Sequence, residues 1–166
     1  MVKKKINFKD KLLKYLPLIL LYYSVLNEFD IDSSSLDLFS FNLPFIIIFY
    51  WSLRDPDHIG NGLIFFAGIL NDVTVGYPIG ISSFIYLIII AFAAYLRNIT
   101  LRPNIYKDSL IFLIAILFAN SVNASILSFI FSIEINFFEI IVNIVFTFLL
   151  YFLFARIFNH LKPMSI

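Results

Sequence analysis

Apolar runs about as long as a membrane-spanning helix, separated by short polar connections, constrain this chain more than any other feature. A helix needs about 20 residues, with a range of about 17–25, to cross the hydrocarbon core of a bilayer. Connections this short also make successive helices antiparallel neighbours. The runs predict six transmembrane helices, at about residues 12–29, 38–53, 57–75, 78–96, 109–131 and 136–158.

Composition supports a membrane environment over the whole chain. Hydrophobic residues make up 61% of the sequence and charged residues 14%, whereas soluble domains are about 45–50% apolar and about 25% charged. The mean hydropathy is +0.93, and no charged stretch is long enough to form a soluble domain. The sequence therefore predicts an all-α, polytopic protein with a single integral membrane domain over residues 1–166.

The positive charges predict the orientation of the bundle. With six spans, all 12 Lys and Arg residues fall on the side of the amino terminus. Cytoplasmic loops carry an excess of these residues, so that side is predicted to be cytoplasmic. A five-span arrangement would place the last basic cluster outside, so we expect six spans with both termini in the cytoplasm.

Several classes of function find no support in the sequence. The chain has no cysteine, and its two histidines are far apart and without neighbours at metal-ligand spacing, so we expect no metal site and no cofactor. It contains no nucleophile elbow, phosphate-binding loop or paired-histidine helix, so we expect no enzyme activity. The net charge of +1 gives no reason to expect a nucleic-acid partner.

Acidic and amide side chains within the predicted helices mark a candidate site. Asp72 is placed about one helical turn, roughly 5 Å, below the outer end of the third helix. Glu139 and Asn143 share one face of the sixth helix. We expect a polar cluster in the outer half of the bundle that includes these three residues, where Asn71, Asn120 and Asn123 also fall. Two interpretations stay open: hydrated charges with amides that join helices, or a pocket that opens outward for a partner or ligand.

Small residues and one aromatic residue complete the pattern. Gly76, Pro78 and Gly80 predict a tight turn between the third and fourth helices, with Pro78 in the first turn of the returning helix and Gly80 allowing close helix approach. Trp51 ends the second helix, where we expect an anchor at the membrane interface. Serines at helical spacing form a seam suited to close helix contact on the fifth helix: Ser121, Ser125, Ser128 and Ser132.

Residues 50–97 resemble the rod shape-determining protein MreD family. That family shows a Tyr-Trp and Arg-x-Pro element, a Gly-Leu-Leu-x-Asp helix end, and then Gly-x-Pro-Leu-Gly. The chain departs from this pattern at Ile79, where leucine is common, and at Asn71, where an apolar residue is more usual. The matching residues are Tyr50, Trp51, Arg54, Pro56, Gly68, Asp72, Gly76, Pro78 and Gly80.

The resemblance implies a non-enzymatic, multi-pass subunit of the bacterial inner membrane that serves the cell-elongation machinery, or elongasome. The implied partners are membrane lipids, a bitopic MreC-like protein, a RodA-like glycan polymerase, a penicillin-binding transpeptidase and MreB, with a homo-oligomer as a further option. Such a protein would scaffold peptidoglycan synthesis and regulate cell shape. The resemblance makes Gly68 a candidate beside the residues already singled out.

The family is also thought similar in fold to the S components of energy-coupling-factor transporters. This similarity defines the alternative function, a small-molecule-binding membrane subunit of a transporter. In that case the outer polar cluster would be the pocket, with several convergent polar groups and aromatic walls.

Overall fold

The computed structural model describes residues 8–26, 41–100 and 104–161, with side chains in those ranges from residue 15 onward except at 57, 58 and 161. The described residues are helical, without strands, which confirms the predicted all-α class. The described ranges contain six helices of 12 residues or more and one single-turn helix. They are α1 (Phe8–Leu26), α2 (Leu43–Arg54), α3 (Pro56–Ile59), α4 (Asn61–Val75), α5 (Ile81–Ile99), α6 (Ile105–Phe129) and α7 (Phe137–Leu161).

The helix ends differ from the predicted ones where local backbone geometry decides them. The third predicted helix, 57–75, is divided into α3 and α4 by Gly60, whose φ of +58° ends the first turn. The fourth begins at Ile81 rather than at residue 78, and the fifth begins at Ile105, where Asn104 caps it, rather than at residue 109. Residues 27–29 and 38–40 of the first two predicted helices lie outside the described residues.

Helix α2 forms the centre of the bundle. Every residue from Phe45 to Ser52 is buried, as expected for a helix that is apolar on all sides. Asn42 caps its amino terminus by accepting a hydrogen bond from the Phe45 amide, and Pro44 follows within the first turn, where its missing N–H costs nothing. Helix α2 packs against α1, α5 and α7, so the peripheral helices enclose it.

Within the part of the chain that the structure describes, three helices have the length and composition needed to cross a membrane: Ile81–Ile99, Ile105–Phe129 and Phe137–His160. The apolar segments Tyr15–Leu26, Leu43–Arg54 and Asn61–Val75 are shorter. At a rise of about 1.5 Å per residue, α2 is roughly 18 Å long, whereas the hydrocarbon core is about 30 Å thick. The six-span arrangement and the cytoplasmic placement of the termini stay predictions.

The exterior of the bundle is strongly apolar, most of all on α7. Within the spanning segment of α7 only 17% of residues are buried. Large apolar side chains cover its outer face, including Phe138, Ile141, Leu149 and Leu153. Such a surface is what a lipid environment requires and what water does not tolerate over so large an area.

Candidate functional site

Asp72 lies at the junction of α4 and α5, where its carboxylate caps the amino terminus of α5. Its side chain is fully buried. One oxygen accepts a hydrogen bond from the Gly80 amide at 2.6 Å, and the other accepts one from the Ser82 amide at 2.9 Å. These N–H groups lack partners inside α5, and a negative charge there is favoured by the helix dipole. The charge is therefore matched by backbone donors rather than by a cation.

The turn between α4 and α5 follows from two glycines with positive φ. Gly76 has φ +77° and ends α4, and the Tyr77 amide donates to the Asp72 carbonyl at 2.9 Å. Gly80 has φ +105° and precedes α5. The prediction that Pro78 lies in the first helical turn is therefore wrong, because Gly80 holds the backbone outside the helical region until Ile81 and Pro78 stays in the turn.

The close approach of α4 and α5 occurs at Gly68 rather than at Gly80. A Cβ added at Gly68 would overlap the Ser83 backbone, whereas one added at Gly76 or Gly80 would meet nothing within 4 Å. The predicted packing role of Gly80 is therefore wrong, and its contribution is backbone conformation. Around Gly68 the Ser83 hydroxyl donates to the Phe65 carbonyl at 2.8 Å.

A cavity of about 390 Å³ opens beside this junction. It lies between the amino-terminal ends of α2, α5 and α7 and the later parts of α1, α4 and α6. The lining residues are largely amides, hydroxyl groups and aromatic rings. They include Asn42, Asn71, Asn120, Asn123, Asn143, Glu139, Ser24, Ser82, Phe41, Phe45, Tyr77 and Tyr86. We call this space the amide cavity.

The structure brings together part of the predicted polar cluster. Glu139 and Asn143 line the amide cavity, whereas Asp72 is not among its lining residues. The Asp72 carboxylate accepts a hydrogen bond from the backbone N–H of Ser82. Ser82 does line the cavity, and its hydroxyl accepts a hydrogen bond from the Asn71 side chain at 3.0 Å. Of the candidates, Glu139 and Asn143 therefore belong to a cavity, and Asp72, Gly68, Gly76 and Gly80 shape the helix junction beside it.

Sequence reasoning missed the contribution of α2 to this cavity. The backbone N–H of Asn42 donates to the Thr147 hydroxyl at 2.9 Å, which joins the start of α2 to α7. The Thr147 hydroxyl in turn lies 3.4 Å from the Asn143 side-chain oxygen. The available signal was local: Asn42 followed two residues later by Pro44 is typical of a helix amino terminus.

A second polar group lies at the opposite ends of α2 and α5. Arg54 forms an ion pair with Asp108 at 2.5 Å. Arg97 donates to the Ser52 carbonyl at 2.8 Å. These contacts fasten the end of α2 to the start of α6 and the end of α5, with Asp108 almost fully buried.

Trp51 lies inside the bundle near this second group. Its side chain is only 9% exposed, and its ring centroid is 4.2 Å from that of Phe158 and 5.0 Å from that of Tyr50. The structure thus shows a packing role for Trp51, and its role as an interface anchor stays a prediction. Among the described residues, no group of three or more His, Cys, Asp or Glu side chains could hold a metal ion.

An all-helical bundle with an apolar exterior and three helices of membrane-crossing length defines an integral membrane protein. Within that class, the sequence matches the family of the rod shape-determining protein MreD over residues 9–161, which is nearly the whole chain. The chain belongs to the MreD family, whose members are shape-determining structural membrane proteins that are not known as enzymes. No curated protein and no solved structure matches the chain significantly.

Proposed function

We propose that this protein is a non-enzymatic, multi-pass subunit of the bacterial inner membrane that scaffolds peptidoglycan synthesis in the cell-elongation complex. Its direct partner would be an MreC-like bitopic protein, and the wider assembly would include a RodA-like polymerase, a penicillin-binding transpeptidase and MreB. The observation that carries this proposal is the family match over residues 9–161. Six spans with both termini in the cytoplasm belong to the same proposal.

The exposed face of α6 around Ser121 and Ser125 supports a role in binding a transmembrane helix. Ser121 and Ser125 are exposed, and their hydroxyls donate to the carbonyls of Leu117 and Ser121, each at 2.8 Å. Because these two hydroxyls are satisfied within α6, another helix can cover Ser121 and Ser125 without leaving either hydroxyl unpaired. Ser132, predicted to continue the serine seam, lies beyond the end of α6 at Phe129. Small residues also allow two helix backbones to approach closely in a membrane.

Co-purification with the MreC-like protein of the same organism tests the scaffold. The wild-type protein should retain it in mild detergent, and the Ser121→Leu/Ser125→Leu variant should lose most of it. Val145→Leu, which changes an exposed apolar position on α7, is the matched control and should bind as the wild type does. Failure of the wild-type protein to retain any MreC-like protein would contradict the proposal.

The amide cavity favours one alternative function, a small-molecule-binding membrane subunit of a transporter. Its volume of about 390 Å³ lies within the usual range of about 300–1,000 Å³ for ligand sites. The two functions differ in the genes expected beside this one. An MreC-like reading frame immediately upstream supports the scaffold, and transport ATPase genes support the alternative.

A further inference from the structure

The walls of the amide cavity are unusually rich in side-chain amides for an apolar bundle. Asn42, Asn71, Asn120, Asn123 and Asn143 converge on it from α4, α6, α7 and the cap of α2. A side-chain amide carries two donor hydrogens and an acceptor oxygen, so an amide that uses only some of them has unused capacity for hydrogen bonds. A volume of about 390 Å³ is far larger than one water molecule needs.

Asn123 shows this unused capacity most clearly. Asn71 donates to Ser82, and Asn120 donates to the Ile116 carbonyl. The Asn123 side chain is only partly exposed and makes no hydrogen bond to any part of the chain that the structure describes. Its amide supplies both a donor and an acceptor to the cavity.

The charge of the cavity restricts what it can bind. Glu139 is the one acidic residue among the described residues that line it, and none of them is Lys, Arg or His. One Glu139 oxygen accepts a hydrogen bond from Asn136 at 2.7 Å, and no described residue that lines the cavity offers the carboxylate a cation. A phosphate or carboxylate ligand would meet this negative charge with no compensating cation, and like charges repel.

Aromatic rings also line the cavity. Phe45 and Tyr86 meet edge to face with ring centroids 6.0 Å apart, and Phe41 and Tyr77 also line the space. Amides and aromatic rings that line the same space suit a ligand with hydroxyl or amide groups around its edge and apolar faces. Each hydroxyl of such a ligand both donates and accepts, as the asparagine amides do.

We infer that the amide cavity binds an uncharged sugar ring, either as a free monosaccharide or as the glycan headgroup of a lipid. The inference rests on the cavity alone and goes beyond the scaffolding role. A failure to bind sugar would therefore leave co-purification with an MreC-like protein unaffected. Each of the two proposals can be contradicted without the other.

Thermal unfolding of the full-length protein in phosphatidylcholine nanodiscs tests this inference, because that bilayer contributes no sugar. Free N-acetylglucosamine is added in one arm, a monoglucosyl diacylglycerol is incorporated in the second, and inorganic phosphate is added in the third. Ligand at about ten times its Kd should raise the Tm by about 3 °C or more. We expect this rise in the first arm for a free sugar or in the second for a lipid headgroup, and no rise with phosphate.

Substitution at Asn123 locates the binding. Asn123→Leu should abolish the sugar-dependent rise in Tm, and Asn123→Ala serves as a second variant if the first does not fold. Asn98→Leu, at an exposed position near the other end of α5, is the matched control and should keep the rise. The inference is overturned if neither sugar arm raises the Tm, if phosphate raises it equally, or if both Asn123 variants keep the full response.

Discussion

Asp72 shows how a single carboxylate is accommodated in a chain with an apolar exterior. A helix is usually capped by the side chain of its own N-cap residue, but the N-cap of α5 is Gly80, which has no side chain to offer. The carboxylate of Asp72, eight residues earlier, accepts the bonds instead. The glycine supplies the backbone conformation and the aspartate supplies the acceptor, so the two residues act as one cap.

Replacing Asp72 with asparagine should therefore destabilise the fold. An amide has one acceptor oxygen, so one of the two backbone N–H groups would face an NH₂ group and lose its partner. The loss should be about 1–3 kcal/mol in the free energy of unfolding, measured by unfolding in detergent with the fluorescence of Trp51, the single tryptophan. Glu139→Gln, at an exposed position, is the control with little effect, and equal stability of Asp72→Asn and wild type would contradict the capping role.

Gly68 allows a comparison with a second glycine on the same helix. Gly68→Ala places a Cβ against the Ser83 backbone, and the resulting shift of α4 from α5 should cost about 1–3 kcal/mol. Gly62→Ala meets nothing within 4 Å and should stabilise α4 by about 0.5–1 kcal/mol. The same unfolding measurement gives both values, and a change of the same sign in the two variants would refute this packing.

Among the elements, α2 is held from both ends by polar contacts. At its start the backbone N–H of Asn42 donates to the Thr147 hydroxyl of α7. At its end Arg54 pairs with Asp108 of α6. Arg54 lies in the last turn of α2 and Asp108 in the first turn of α6, so each charge is also favoured by the dipole of its own helix. These contacts fix a short central helix whose sides are otherwise apolar.

Breaking the pair at the end of α2 should be costly because Asp108 is only 2% exposed. Arg54→Met leaves the Asp108 carboxylate buried without its cation, and the free energy of unfolding should fall by about 3 kcal/mol. The double variant Arg54→Met/Asp108→Asn removes the isolated charge and should recover part of the loss. A double-mutant cycle should give a coupling energy of about 1–3 kcal/mol, and additive effects of the two substitutions would show that the pair contributes no coupling.

The all-helical fold could be predicted from the sequence because apolar run length and charge density are local properties. The start of α5 could not, because it depends on a carboxylate of the preceding helix and on the positive φ of Gly80. The Arg54–Asp108 pair also could not be predicted from local sequence, since it joins residues 54 positions apart. The amide cavity was anticipated through the polar residues of the later helices, including Glu139 and Asn143, but not through Asn42 or Ser24, because nothing local to these two residues indicates where the chain brings them.

At the scale of the whole molecule, polar and basic groups divide between the two ends of the bundle. The amide cavity and the α4–α5 turn lie at one end, and Arg54, Arg97 and Lys107 lie near the other. Basic residues favour the cytoplasmic side. This division supports the proposed orientation, in which the amide cavity opens away from the cytoplasm and toward the side where the wall is built.

Single cysteines test this orientation directly, because the chain contains no cysteine of its own. Ile79 in the α4–α5 turn is 74% exposed, and Tyr106 at the start of α6 is 80% exposed, so Ile79→Cys and Tyr106→Cys place comparable thiols at opposite ends. In intact spheroplasts a membrane-impermeant maleimide should label Ile79→Cys and spare Tyr106→Cys, whereas both should react once the membrane is opened with detergent. Labelling of Tyr106→Cys alone in intact spheroplasts would reverse the orientation, and the amide cavity would then face the cytoplasm.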